Sequence, residues 1–226
     1  MSRDSLKPLQ SSGFTIVELM IATVVLSVIL LLSTVMITSI GNLYYKGVNK
    51  SRLQDDARTI ANDVSQRLEL QANSTQLPGT DGETYPYGSG SIYVAAICIG
   101  STRYSYIEDS AGQKWQIGSG GSAVNQVPHI FWRDTNPSAS CTALDLTKTN
   151  PPGSGSDGTE LISANSSVSY FSVDTTSAPY GVKIDLAYGD RTLLSGVGLN
   201  ATCKGGAGDQ FCATATVSTA ATPRLQ

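Results

Sequence analysis

One carboxylate, Glu18, stands at the start of the most apolar stretch of this chain. From Leu19 to Tyr45, 27 consecutive residues include no Asp, Glu, Lys or Arg. Burying a carboxylate in such a stretch costs several kcal/mol on membrane-insertion scales, so Glu18 indicates a functional residue whose partner the position alone does not name. A second interpretation stays open, in which Glu18 remains at the membrane interface. A carboxylate there also suits the positive N-terminal end of a helix.

Four cysteines form the second group of reactive side chains, and all of them follow the apolar stretch. No two of them have the CxxC spacing of a metal site, which favours disulfides over metal binding, with free thiols as the alternative. Four cysteines permit three pairings. A glycine-rich segment separates Cys203 from Cys212 and would gain from a cross-link, so we favour that pair, which leaves Cys98 for Cys141.

The side chains that general acid–base chemistry would need are sparse. His129, the single histidine, lies between Pro128 and Ile130 in an apolar run, which is typical of a packed strand residue. Acidic residues after position 80 are scattered, without a pair or a ligand spacing that singles out a site. We therefore expect no catalytic residue, no metal and no cofactor.

The apolar stretch is long enough to hold Glu18 in a membrane. As a helix, its 27 residues span about 40 Å at ~1.5 Å per residue, more than the ~30 Å hydrocarbon core of a bilayer. It is too long for a signal-peptide core and lacks a small-residue cleavage site at its end. Arg3 and Lys7 before it place the N-terminus on the cytoplasmic side. The alternative is a helix buried in a soluble core.

The helix is predicted to continue beyond the membrane, from Phe14 to about Ala72. An apolar stripe follows with spacings of four, three, four and four residues, and charged residues occupy the remaining surface. The stripe consists of Leu53, Ala57, Ile60, Val64 and Leu68. Turn-forming residues at 73–75 and 77–79 end the helix.

The rest of the chain predicts β structure. Short apolar or alternating segments lie between Gly, Pro and Ser clusters. The predicted strands are 91–99, 103–107, 113–117, 127–133, 168–174, 182–188 and 211–218. An antiparallel sheet packed on the helical stripe gives an α+β fold.

Composition excludes other classes. Only 15% of the residues are charged, against roughly 25% in a typical domain, and 40% are hydrophobic, which is too apolar for a disordered chain. The net charge is −3. The ten tyrosines have no cluster of Lys or Arg beside them, so we do not expect nucleic acid as a partner.

The segment Gly13-Phe-Thr-Ile-Val-Glu-Leu19 resembles the class III leader junction of type IV prepilins and type II secretion pseudopilins. The resemblance implies that a prepilin peptidase cleaves between Gly13 and Phe14 and then methylates the new amino group of Phe14. It also implies that Glu18 forms an assembly salt bridge with the N-terminal ammonium of a neighbouring subunit. A buried charge needs such a partner.

This resemblance divides the chain into a leader (1–13), a transmembrane and filament-core helix (14–45), an amphipathic continuation (46–72) and a globular β-rich head (73–226). The expected location is the cytoplasmic membrane, with the head outside, and later an extracellular filament. The implied partners are other pilin subunits through helix bundling, the prepilin peptidase, an inner-membrane assembly platform and, before assembly, membrane lipid.

We expect a structural subunit, and the large head favours a minor pilin. Many major pilins have a proline in the apolar helix, whereas none occurs here between Pro8 and Pro78. A type II secretion pseudopilin is the first alternative. The second, from another class, is a membrane-anchored adhesin or binding protein that does not polymerise.

Overall fold

The computed structural model describes residues 13–71, 82–88, 90–108, 116–117, 126–135, 141–148, 158–196, 198–206 and 208–224. The chain divides into two compact units, one ending at Leu43 and one beginning at Tyr44. This division falls two residues before the boundary predicted after position 45.

Helix α1 extends from Ile16 to Gln71. The prediction began at Phe14, and the later start reflects Thr15, which caps the helix. Gly41 and Gly47 do not interrupt it. The predicted stop signals at 73–79 lie outside the described residues.

The strands all follow α1. In chain order they are β1 (Glu83–Tyr87), β2 (Gly90–Ile99), β3 (Thr102–Tyr106), β4 (Gln116–Ile117), β5 (Gln126–Val127), β6 (Phe131–Thr135), β7 (Thr159–Glu160), β8 (Ser166–Asp174), β9 (Tyr180–Tyr188), β10 (Leu194–Ser195), β11 (Thr202–Cys203) and β12 (Ala213–Ala221).

Two antiparallel sheets carry most of these strands. One has the order β1-β2-β3-β6-β7 and the other the order β12-β9-β8. Strand β12 pairs with β9 along its whole length, and the backbone N–H of Arg224 beyond it donates to the carbonyl of Glu69 in α1. The two remaining pairs are short, β10 with β11 and β4 with β5. The α+β prediction is confirmed.

The core of the second unit is built on the predicted stripe. All five stripe residues, Leu53 to Leu68, are at most 2% exposed. They belong to one apolar cluster with residues of both large sheets, among them Ile92, Tyr104, Phe131 and Ile184. Burial of this face removes the stripe from water, which is the main stabilising contribution to the helix–sheet contact.

The predicted strand 127–133 is wrong, because the chain forms two strands there, β5 and β6. Pro128 has no backbone N–H and cannot continue a ladder. At the break, the N–H of Phe131 donates to Oε1 of Glu160 at 2.8 Å, and the N–H of Ile130 approaches the same carboxylate at 3.3 Å. Burial raises the pKa of Glu160, and these donors oppose that rise.

A second carboxylate supports the irregular part of β8. The register shifts between Val168 and Tyr170, so that Ser169 is an extra residue in that strand. Just beyond the bulge, the N–H of Phe171 donates to Oε1 of Glu108 at 2.8 Å. Side-chain oxygens thus accept hydrogen bonds from backbone N–H groups where the strands depart from regular pairing.

The start of β12 and the presence of β1 also differ from prediction. Phe211 lies in a 3₁₀ turn, Asp209–Phe211, whose start at Gly208 has a φ of 89°, and β12 begins only at Ala213. Strand β1, which contains Pro86, is not among the predicted strands. Proline is tolerated there since β1 is at the edge of its sheet.

Candidate functional site

Glu18 forms a reciprocal cap at the start of α1. Its Oε2 accepts two hydrogen bonds from Thr15, one from the backbone N–H and one from the hydroxyl, both at 2.9 Å. The N–H of Glu18 donates in return to Thr15 Oγ1 at 3.2 Å. This is a capping box, in which residues three apart satisfy donors that the helix leaves free.

The cap uses only one of the two carboxylate oxygens. Both bonds from Thr15 end on Oε2, and no described residue donates to Oε1 of Glu18. Glu18 is exposed within its unit. The arrangement therefore leaves an acceptor oxygen, carrying negative charge, at the N-terminal end of the helix.

Thr15 is the functional residue that sequence reasoning missed. The signal was present, since Thr15-Ile-Val-Glu18 has the Thr-x-x-Glu pattern of a capping box directly before an apolar run.

Gly13 and Phe14 precede the cap in exposed chain that is neither helix nor strand. The Phe14 side chain is 83% exposed, and a Cβ at Gly13 would meet no atom within 4 Å. The bond between these residues is thus sterically accessible. Residues 1–12 before it lie outside the described part of the chain.

Beyond Glu18, α1 presents apolar side chains on every side. The helix is long and apolar enough to cross a membrane. Its most apolar window has a mean hydropathy of 2.7, and none of that window is buried. Five hydroxyls in this part donate back to carbonyls three or four residues earlier, so they need no hydrogen-bond partner from the lipid. They are those of Thr23, Ser27, Ser33, Thr34 and Thr38.

A sequence profile described as the prokaryotic N-terminal methylation motif matches residues 9–34. The N-terminus therefore carries the methylation motif with which type IV pilins and pseudopilins begin. The match covers the cap, the accessible Gly13–Phe14 bond and the beginning of the exposed apolar helix. Comparison with curated proteins and with solved structures gives no match.

In the second unit, disulfides join Cys98 to Cys141 and Cys203 to Cys212, which are the pairs that the sequence favoured. The second disulfide closes a loop that lies on α1. Lys46 Nζ is 2.5 Å from Asp209 Oδ2, and Asn49 Nδ2 donates to the carbonyl of Gln210 at 3.1 Å. The loop is thereby attached to the first turns of α1 in the second unit.

A polar cluster around Asp63 joins α1 to the five-stranded sheet. Its Oδ2 accepts from the Tyr104 hydroxyl at 2.6 Å, and its Oδ1 accepts from Arg133 Nη1 at 3.0 Å. Arg67, one turn later, donates to Thr102 Oγ1. Burial and the Asp63 carboxylate together raise the pKa of Tyr104, so its hydroxyl keeps its proton and remains a donor.

His129 is a packed residue, as its sequence context suggested. Its Nδ1 lies 3.3 Å from Glu160 Oε2, without the alignment of a hydrogen bond, and its ring meets that of Trp132 edge-on with 4.5 Å between centroids. The Glu160 carboxylate already accepts the backbone donors of β6. No group of three His, Cys, Asp or Glu side chains among the described residues could hold a metal ion.

Proposed function

We propose that this chain is a structural subunit of a type IV pilus-like filament and, more specifically, a minor pilin. The observation that carries the proposal is the methylation motif at 9–34 on an apolar helix with no buried residue in its most apolar window. Such a surface needs lipid or other helices around it. Its function is then assembly, without catalytic turnover.

Processing would create the partner that Glu18 needs. Hydrolysis of the Gly13–Phe14 bond by a prepilin peptidase leaves an ammonium group on Phe14, and methylation of that nitrogen preserves its charge. The Oε1 of Glu18 is the available acceptor for such an ammonium from a neighbouring subunit. In the apolar interior of a helix bundle this pairing avoids an uncompensated charge.

Mature-chain analysis tests the processing step. Co-expression with a prepilin peptidase should give a chain that begins at Phe14, with the mass of one added methyl group, by N-terminal sequencing and mass spectrometry. Gly13→Leu, which fills the accessible position, should leave the leader attached. Retention of Met1 in the wild-type chain under these conditions would contradict the proposal.

Substitution of Glu18 tests assembly. Glu18→Ala should reduce incorporation into sheared filaments by at least tenfold, because both the ammonium partner and the cap are lost. Thr15→Val is the matched control, since it removes the two cap hydrogen bonds of the Thr15 hydroxyl and keeps the Glu18 carboxylate. Wild-type incorporation of Glu18→Ala would show that the salt bridge is not needed.

The stoichiometry of purified filaments separates the remaining candidates. A minor pilin occurs in filaments at trace level, whereas a repeating subunit dominates them. The methylation motif equally favours a type II secretion pseudopilin, whose deletion would stop secretion of a hydrolase instead of filament formation. A membrane-anchored adhesin would never sediment with filaments.

A further inference from the structure

An unpartnered carboxylate lies on the outer face of the three-stranded sheet. Asp185 is in β9, the central strand, and only 6% of it is exposed. Neither of its carboxylate oxygens has a hydrogen-bond partner among the described residues. Lys183 lies two residues away on the same face, but these two side chains form no ion pair. A buried carboxylate without a partner is strongly unfavourable, so this group indicates a ligand.

A small cavity lies directly beside this carboxylate. Its volume is about 30 Å³, enough for one ion or one to two water molecules. Antiparallel pairing places Thr216 opposite Asp185 on the same face, with Thr214 on the diagonal. Ser169, the extra residue of the β8 bulge, lines another side. The residues 198–201 lie over the sheet here and complete the lining.

The lining supplies oxygen ligands. Asp185, three residues with a hydroxyl side chain (Ser169, Thr214 and Thr216) and residues Gly198, Leu199 and Ala201 are among those that line the cavity, and none of its lining residues is His, Cys or Met. Oxygen donors suit hard cations such as Ca²⁺, Mg²⁺ or Na⁺. The cavity is too small for a substrate or for the stem of a lysine side chain from another subunit.

We propose that Asp185, with Ser169, Thr214 and Thr216, binds one hard cation between the three-stranded sheet and the turn at 198–201. The single negative charge predicts weak binding, since affinity for divalent cations rises with the number of charged ligands. Such a site would be filled at the millimolar cation concentrations found outside cells. It would hold the turn on the sheet by joining β8, β9 and β12 to residues 198–201.

Thermal unfolding of the full chain in a zwitterionic detergent tests this site. CaCl₂, MgCl₂ and NaCl are compared with choline chloride at equal ionic strength, because choline is too large for the cavity. For wild type, we expect at least one of the three cations to raise Tm by about 4 °C at ten times its Kd, and choline to have no such effect. Isothermal titration calorimetry should give one site for that cation.

Three variants connect the effect to these residues. Asp185→Asn is nearly isosteric and should abolish the cation response, while in choline alone its Tm should exceed that of wild type, because the unpaired charge is gone. Thr214→Val should reduce the increase in Tm that the cation causes, while the negative charge of Asp185 is kept. Asp55→Asn removes an exposed charge from α1 and should respond like wild type.

Which of wild type and Asp185→Asn has the higher Tm, in choline and in the cation salt, decides the outcome. If the cavity is a cation site, Asp185→Asn has a higher Tm than wild type in choline and a lower Tm than wild type in the salt of the cation that binds. If no cation exceeds choline for wild type, or if Asp185→Asn responds equally, the cavity holds only water and the proposal is overturned. Because the site lies wholly in the second unit, this result is independent of whether Glu18 functions in assembly.

Discussion

At the scale of single residues, Glu18 caps its own helix and, in our proposal, also binds an external ammonium. As a capping residue it satisfies donors of its own helix through Oε2, and its free Oε1 remains available to an external cation. The two interactions need not compete. Thr15 therefore acts as a positioning residue, because its two hydrogen bonds fix where the free oxygen lies.

Buried carboxylates in the second unit predict how its stability depends on pH. Burial raises the pKa of Glu108 above its usual value of 4.5, although the Phe171 N–H opposes the rise. Between 4.5 and the native pKa, the folded chain binds more protons than the unfolded chain, so the free energy of unfolding decreases as pH rises. We expect Glu108→Gln, which keeps an acceptor oxygen, to remove this decrease.

Denaturant unfolding at several pH values between 4 and 7 measures the effect. The difference in unfolding free energy between wild type and Glu108→Gln should change across this range, to the disadvantage of wild type at higher pH. Glu83→Gln, on an exposed part of β1, is the control and should give a constant difference. A constant difference for Glu108→Gln would refute the assignment.

At the scale of elements, the Asp63 cluster fixes the position of α1 on the five-stranded sheet. Asp63→Ala should lower the free energy of unfolding by about 3 kcal/mol, because it leaves the buried Tyr104 hydroxyl and Arg133 without their acceptor. Asp55→Ala, on an exposed position of the same helix, should change it by less than about 0.5 kcal/mol. Equal effects of the two variants would show that the cluster contributes nothing specific.

The stripe on α1 was predictable because helical periodicity depends only on neighbours along the chain. The same holds for β9, where apolar and polar residues alternate. The partners of Asp63 were not predictable, since Tyr104 and Arg133 are 41 and 70 residues away and reach it only through sheet topology. Asp185 looked like an ordinary outward-facing strand residue, because nothing local shows that residues 198–201 cover it.

At the scale of the whole molecule, the two units differ in how much of their apolar surface is exposed. The first exposes nearly all of its large apolar side chains, whereas the second buries its stripe and sheets in one cluster. A chain that begins at Tyr44 should therefore be monomeric without detergent, and the full chain should require detergent. Size-exclusion chromatography with light scattering measures this.

A second truncation is the control for this experiment. A chain that begins at Asp63 loses Leu53, Ala57 and Ile60 from the stripe and should aggregate or unfold. If the chain from Tyr44 aggregates to the same extent, the second unit does not fold without the first.

The pairing of β12 has a consequence for the order of events during export. In a chain anchored by its N-terminal helix, β12 is the last described strand to emerge from the membrane. Until then β9 has β8 as its only partner strand, Cys203 lacks Cys212, and the cavity beside Asp185 lacks the wall that β12 supplies. A head exported in this way would therefore remain open to proteases, chaperones and disulfide-forming enzymes until β12 arrives and pairs with β9.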